Sequence, residues 1–297
     1  MKSGESIYLV VGTGKLATAA VEYSLSRGKN VIVFESELHA FSNLAKACEK
    51  YRIPYFSDSL GKRIEKILES NLGDVLIISA YNGYIFPKHL VDLAEGKIIN
   101  FHNSLLPYYR GRNAPSWVIM QGESITGITW HQVTPELDKG HVLLRSEIQI
   151  SENETALSLT NKTLNKGIET LEQAVSLWDN YRGVSSETDL EVPTIPPHAG
   201  FRLGREIPNS GIYDPKWEIE KGYRFLRAVD YGPFPVFPKP QISIENQLYL
   251  VMGYKFQENV DSNSEPDSLI YFKEETPHIT FKNSQGQLTL RLETINA

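Results

Sequence analysis

The order of apolar runs along the chain predicts an α/β protein. A Rossmann-like, mostly parallel sheet comes first, and a smaller, mainly β region follows. Three observations carry this reading. Short continuous apolar runs alternate with helix-like stretches as far as Phe101; strictly alternating runs then take over; and beyond a proline-rich stretch a single helix candidate precedes a series of short alternating strands. Continuous apolar strands separated by helices mark a parallel sheet covered on both faces. Alternation marks strands with one wet face.

The strand candidates of the first part are Ile7–Val11, Asn30–Phe34, Ile53–Phe56, Asp74–Ser79 and Lys97–Phe101. Between them lie helix candidates at Leu16–Ser26, ended by Gly28, and at Ala40–Tyr51, Ile64–Ser70 and Lys88–Glu95. Gly127–Val133 and His141–Ile150 alternate, so the sheet is expected to end in strands of mixed direction. Thr155–Trp178 carries Leu157, Leu164, Ile168, Leu171 and Val175 as a stripe at helical spacing. Pro193, Pro196, Pro197 and Pro208 mark a linker or extended crossing. The expected division is therefore 1–182, a linker at 183–211, and a barrel-like or meandering β domain at 212–297. That last part opens with a helix at Lys216–Ala228. Strands follow at Gln241–Ile244, Leu248–Val251, Leu269–Phe272, His278–Phe281 and Leu288–Leu292, and a polar loop at Asn259–Asp267.

Composition narrows the function classes. At 297 residues the chain has room for roughly two domains. Its 30 Lys+Arg against 36 Asp+Glu give a net charge of −6, which lacks the positive field of bulk nucleic-acid binding. Cys48 is the sole cysteine, so no intrachain disulfide is possible, and a reducing cytoplasmic setting fits. No apolar run approaches the ~20 residues of a membrane span, and Glu5 interrupts the N-terminal stretch where a signal peptide would need its apolar core.

The first strand-to-helix turn reads Gly12-Thr-Gly14-Lys15-Leu-Ala17, with Glu35 at the end of the next strand. Three readings stand. The turn could hold a dinucleotide, with glycines for close approach and an acid for the ribose. It could serve an acceptor's phosphate through its exposed amides and Lys15. Or the glycines could simply permit the turn.

Asn100 and His102 lie two apart at the end of an apolar strand, so both side chains point to one face. Asp138 falls in a loop between the two alternating strands. An amide, an imidazole and a carboxylate suit acyl transfer without a covalent nucleophile: the amide donates to an oxyanion, the imidazole moves a proton or holds charge, and the carboxylate orients the imidazole. The bare pair Asn-x-His is also what an ordinary hydrogen-bonded strand end looks like. Tyr81–Pro87, read alone, is an aromatic loop that packs. No cluster has metal-ligand spacing.

The wider stretch decides between them. Asn100-x-His102, Ser104-Leu-Leu-Pro107, Tyr109-Arg-Gly111, Ala114-Pro115, Gly122, Gly127-Ile-Thr129 and Val133-Thr-x-x-Leu-Asp138-x-Gly140 together resemble the folate-dependent N-formyltransferases. The resemblance extends more weakly over about residues 6–180. It implies a formyltransferase domain using 10-formyltetrahydrofolate without a metal, with Asn100, His102 and Asp138 as its catalytic triad. It implies folate contacts from Tyr81, Gly83, Tyr84 and Ile85, from Leu106, and from Val133, Pro135 and Leu137. Gly12, Gly14, Lys15, Arg110 and Arg112 are the expected acceptor side. Asn103, directly after the histidine, and Pro135 both depart from the pattern of many relatives.

The expected activity is formyl transfer to a primary amine or hydroxylamine. The alternatives are a nicotinamide oxidoreductase resting on Gly12, Gly14, Ala17 and Glu35, and a formyltetrahydrofolate hydrolase. The known hydrolases carry a domain before this region, whereas the first strand here begins at residue 7. From Ile212 onward 9 Lys+Arg face 12 Asp+Glu, which disfavours a transfer-RNA acceptor. A nucleotide-linked amino sugar or an aminoacyl-carrier protein remains, with a homodimer possible. Leu226–Phe234 and Ile128–His131 resemble formyltransferases tied to nonribosomal peptide synthesis and lean toward the carrier.

Overall fold

A computed structural model describes residues 6–35, 43–70, 74–181, 197–258, 269–273, 276–283 and 286–295. The expected loop at Asn259–Asp267, residue 182 at the end of the first expected domain, and residues 183–196 of the expected linker lie outside them.

Seven strands form the first sheet: β1 (Ile7–Gly12), β2 (Asn30–Phe34), β3 (Tyr55–Phe56), β4 (Val75–Ala80), β5 (Ile98–His102), β6 (Ile125–Gln132) and β7 (Val142–Gln149). Their order is β3-β2-β1-β4-β5-β6-β7. The first five pair in parallel, β6 runs antiparallel to β5, and β7 runs antiparallel to β6. Mixed direction thus enters where hydropathy turns from continuous to alternating. Helices α1 (Gly14–Ser26), α2 (Leu44–Tyr51), α3 (Leu60–Glu69) and α4 (Lys88–Ala94) supply the crossovers.

Ile7, Leu9, Val11, Phe34, Ile77 and Ile98 pack with Ile64 of α3 and Leu90 of α4 on one side of the sheet. On the other side the long helix α6 (Ala156–Asn180) brings Gly167 against the Phe101 ring. Every residue of β1 and β4 is buried. Full burial of each Val, Leu or Ile is worth about 1.5–3 kcal/mol, so these strands are rigid mounts for whatever their ends carry.

The described residues pack as two compact units, and the units do not follow chain order as a division into 1–182, 183–211 and 212–297 would. Residues 112–124 and 150–159 belong with the second unit, which otherwise begins at Arg202. One reason is α5 (Ala114–Gln121), an element the sequence reading omits. Ala114 to Ile119 are all buried, so α5 has no polar stripe to betray a period, and its packing partner is the distant α7 (Ile219–Ala228).

The second unit's sheet holds β8 (Ile212–Tyr213), β9 (Gln241–Ile244), β10 (Gln247–Glu258), β11 (Leu269–Lys273), β12 (Thr276–Lys282) and β13 (Gly286–Thr294), in the order β11-β12-β13-β10-β9-β8. It is antiparallel except for β8, which pairs in parallel with β9. Phe225 and Leu226 of α7 bury against Ile242, Val251, Phe281, Leu288 and Leu290.

Candidate active site

The site forms where the carboxyl ends of β4 and β5 meet the reversed strand β6. The register sets Ser79 beside Asn100, Asn100 opposite His131, and His102 opposite Thr129. Residues directly opposite in a ladder share a face. One row of polar side chains therefore stands on one side of the sheet, and each is positioned by a buried strand.

Asn100 accepts a hydrogen bond at Oδ1 from Ser79 Oγ, 2.6 Å, and donates from Nδ2 to His131 Nε2, 3.1 Å. Nδ2 carries two hydrogens, so one remains for another acceptor. His102 is buried, with Nε2 3.0 Å from the Tyr109 carbonyl oxygen. A carbonyl only accepts, so Nε2 bears the hydrogen and Nδ1 is the basic atom. That Nδ1 faces Asp138 Oδ2 at 3.8 Å, while Asp138 Oδ1 lies 3.7 Å from His131 Nε2. Asp138 Oδ2 also accepts from the Gly111 amide at 2.7 Å. One carboxylate thus lies between two imidazoles, on a loop whose neck is closed by a bond from the Gln132 amide to the His141 carbonyl, 2.8 Å.

His131 has a place in the site that the sequence reading did not assign to it. Its Nδ1 donates to the Gln132 carbonyl at 2.8 Å, which leaves Nε2 as a pure acceptor. Burial pushes its pKa down to about 4, against the opposing pull of Asp138. The ring is therefore neutral at physiological pH and helps hold Asn100. A bulge in the β6–β7 pairing, between Trp130 and His131, adjoins it. Alternation in the β6 sequence shows which residues share a face with His131, but only the register shows that it lies opposite Asn100. Ser79 and Asn82 escaped notice likewise.

Backbone strain gathers here. Tyr81, Tyr109 and Asp138 have φ of 56°, 53° and 53°, in the left-handed region that non-glycine residues seldom adopt. Asn82 braces the bend after β4: its Oδ1 accepts from the Tyr84 amide, 2.8 Å, and its Nδ2 donates to the Tyr84 carbonyl, 3.0 Å. Gly83 lies within that bend. Tyr84 stacks edge-on against Phe86. Ile85 is 61% exposed and Leu137 44% exposed, unusual for such large apolar side chains, whereas Leu106 is buried and donates its amide to Thr129 Oγ1. Val133 donates to the Ile98 carbonyl and packs on the core, and Pro135 is exposed.

The glycine turn is built into the fold. A Cβ on Gly12 would stand 2.0 Å from the Ala80 carbonyl oxygen, so close approach of β1 to β4 demands glycine there, and Gly14 turns with φ of 64°. Glu35 is buried and accepts from Thr13 Oγ1 and from the Tyr55 hydroxyl, both at 2.7 Å. The acid that suggested a ribose contact thus already binds two hydroxyls of the fold. Lys15 reaches α6, donating to Asn161 Oδ1 and Asn165 Oδ1 at 3.1 and 2.8 Å, and burial lowers its pKa. Arg110 is half-buried, and its Nε has no hydrogen-bond partner among the described residues. Arg112 belongs to the second unit, where its side chain runs beside Gly204.

Among the described residues no three His, Cys, Asp or Glu side chains are grouped to hold a metal, and no helix is long and apolar enough to cross a membrane.

An amide, two imidazoles and a carboxylate converge where β4, β5 and β6 meet, a set of groups suited to acyl transfer. Residues 16–175, more than half of the chain, match the Formyl transferase family, and the chain belongs to that family. It is 33% identical over 182 residues to GDP-perosamine N-formyltransferase of Brucella melitensis biotype 1, spanning 61% of this chain and 66% of that protein. It is 40% identical over 114 residues to methionyl-tRNA formyltransferase of Clostridioides difficile, spanning 38% of this chain and 36% of that one. The chain thus matches just under two thirds of the first relative's length and about a third of the second's. Its fold is similar to that of the N-formyltransferase from Helicobacter canadensis solved with folinic acid and dTDP-3-aminofucose. That likeness has a TM-score of 0.69 at 15% identity and covers 96% of this chain and 99% of the other.

Proposed function

We propose that the protein transfers a formyl group from 10-formyltetrahydrofolate to the primary amine of a nucleotide-linked amino sugar. The observation that carries the chemistry is the convergence of Asn100, His102 and Asp138 at the end of one strand and on one closed loop. Support for the acceptor comes from the amino sugars named for the Brucella and Helicobacter proteins. They weigh against the carrier-tethered amine toward which the sequence leans.

The residues fit the folate. Ile85, in the bend after β4, and Leu137, next to Asp138 in sequence, are exposed apolar side chains, as a flat heterocycle's covering walls would be, and Asn82 braces the Tyr81–Tyr84 backbone. When bound, the folate supplies an activated formyl carbon. Asn100 directs its remaining amide hydrogen at the charge developing on the formyl oxygen. His102, basic at Nδ1, takes up a proton beside Asp138, and the carboxylate stabilises the resulting imidazolium. Asp138 assists removal of the proton that the attacking amine sheds as its bond to the formyl carbon forms, and His102 gives a proton to the folate nitrogen as the carbon–nitrogen bond to the formyl group breaks. Gly14, Lys15 and Arg110 are the proposed acceptor side in this unit.

Substrate profiling tests the reading. With 10-formyltetrahydrofolate, GDP- and dTDP-linked amino sugars should be formylated at kcat/KM at least tenfold above an aminoacyl-carrier protein. Preference for the carrier would overturn the acceptor assignment. In the same preparation a folate analogue should raise Tm by mass action and NAD should not.

A further inference from the structure

The site contains a directional chain of hydrogen bonds that starts in the bend after β4 and ends on β6. Asn82 Nδ2 donates to Ser79 Oγ, 3.1 Å; Ser79 Oγ donates to Asn100 Oδ1, 2.6 Å; Asn100 Nδ2 donates to His131 Nε2, 3.1 Å; and His131 Nδ1 donates to the Gln132 carbonyl, 2.8 Å. Chemistry fixes the direction at both ends. The Gln132 carbonyl can only accept, so neutral His131 presents a lone pair at Nε2, and only an amide nitrogen can satisfy it. At the other end Asn82 Nδ2 can only donate, so Ser79 accepts from it and gives its single proton to Asn100 Oδ1. Were Asn100 turned by 180°, its oxygen would oppose the His131 lone pair.

We propose that Asn82 and Ser79 are positioning residues that couple the Tyr81–Tyr84 bend to the rotational state of the Asn100 amide. The same Asn82 side chain holds the Tyr84 amide and carbonyl, so one side chain sets both the backbone facing the folate and the polarity of the catalytic amide. The turned amide would aim an oxygen at the developing oxyanion where a hydrogen is needed. The geometry of the coupling stands on the hydrogen bonds alone; its catalytic consequence rests on the formyl-transfer reading.

The test needs one readout independent of catalysis. His131 provides it, followed by NMR in protein labelled with 15N at its seven histidines. The titratable groups facing His131 are Asp138 and His102, and both stay unchanged in every variant. In the parent, His131 should remain neutral at pH 5. In Ser79→Ala nothing specifies the amide oxygen, turned rotamers appear, and the His131 midpoint should rise by about one pH unit, the equivalent of one hydrogen bond. Asn82→Asp should act alike. Its carboxylate still accepts from the Tyr84 amide but claims the Ser79 proton, and Ser79→Ala, which adds no charge, arbitrates. In steady-state assays Ser79→Ala should lower kcat about tenfold or more, with KM for the folate within about twofold. Asn82→Ala should raise that KM as well, because the bend loses its brace. The double variant Ser79→Ala/Asn82→Ala should have a kcat no lower than the worse single variant.

An unmoved His131 titration in Ser79→Ala, or a kcat within about twofold of the parent, would overturn the proposal. A parent enzyme that formylates no amine would instead sink the functional reading, and the His131 midpoint would still decide whether the coupling exists.

Discussion

Two carboxylates of the first unit, Glu35 buried just after β2 and Asp138 mostly covered on the β6–β7 loop, are built for opposite purposes. Glu35, at the end of β2, accepts from two neutral hydroxyls, those of Thr13 and Tyr55. Burial and the Glu35 charge raise the Tyr55 phenol well above its usual range and push the Cys48 thiol up to about 11. The Tyr55 phenol and the Cys48 thiol thereby stay protonated at physiological pH. Asp138 faces two imidazoles at 3.7 and 3.8 Å and receives one backbone amide. Its neighbours are rings with a basic nitrogen, and the distances leave room for a proton or a substrate atom to enter. A buried acid at a strand end is therefore a weak sign of chemistry; an acid set between two imidazoles is a stronger one.

The comparison breaks most visibly by mutation. His102→Ala and Asp138→Asn should each lower kcat by about 10²-fold or more, the usual weight of an acid–base group. Both should fold, since Asn at 138 can still accept from the Gly111 amide. Formyl transfer near the parental rate in either variant would remove the mechanism.

Glu35→Gln should have the complementary effect. It weakens two charge-assisted bonds in a buried place, so unfolding should become easier by about 1–3 kcal/mol. The rate of formyl transfer below the melting range should stay within about twofold of the parent. A large loss of kcat without a fall in Tm would make Glu35 part of the site after all.

The smallest effect is a pH dependence of stability. An unfolded histidine titrates near 6.5, whereas His131 is pushed down to about 4 by burial. Between those values the unfolded chain binds one more proton than the folded one. Stability from this group is complete above about pH 6.5 and falls as pH drops toward 4, by at most about 1.4 kcal/mol per pH unit. Thermal melts from pH 7 to pH 4.5 should show a shallower decline in His131→Gln than in the parent; parallel declines would refute the assignment.

Much of this was legible in the residues. Strands β1, β2, β4 and β5 follow from continuous apolar runs because parallel strands are buried on both faces. The two-residue spacing of Asn100 and His102 on a strand put both side chains on one face, but only the resemblance of the wider stretch singled the pair out. The missing parts share a cause. Helix α5 is wrapped by neighbours and shows no period. Ser79, Asn82 and His131 matter through partners on other strands, and register across a sheet is not written in any one strand. The Gly12–Glu35 fingerprint raised a false alternative for the inverse reason. Close strand approach and a buried acid have their own structural uses, and local sequence cannot tell those from a cofactor's needs.

The closed neck between Gln132 and His141 has an evolutionary corollary. Surface loops ordinarily drift in length as freely as in composition. Here both ends are stitched into the sheet while the tip must deliver Asp138 between two rings that belong to different strands. Residues such as Pro135 and Glu136, exposed and outside those contacts, can be exchanged at little expense. One residue more or fewer would carry the carboxylate out of register with both imidazoles at once. What this segment has to keep is its count of residues, together with Asp138 at the tip and Gly140, where a Cβ would stand 1.7 Å from the Gln132 carbonyl oxygen.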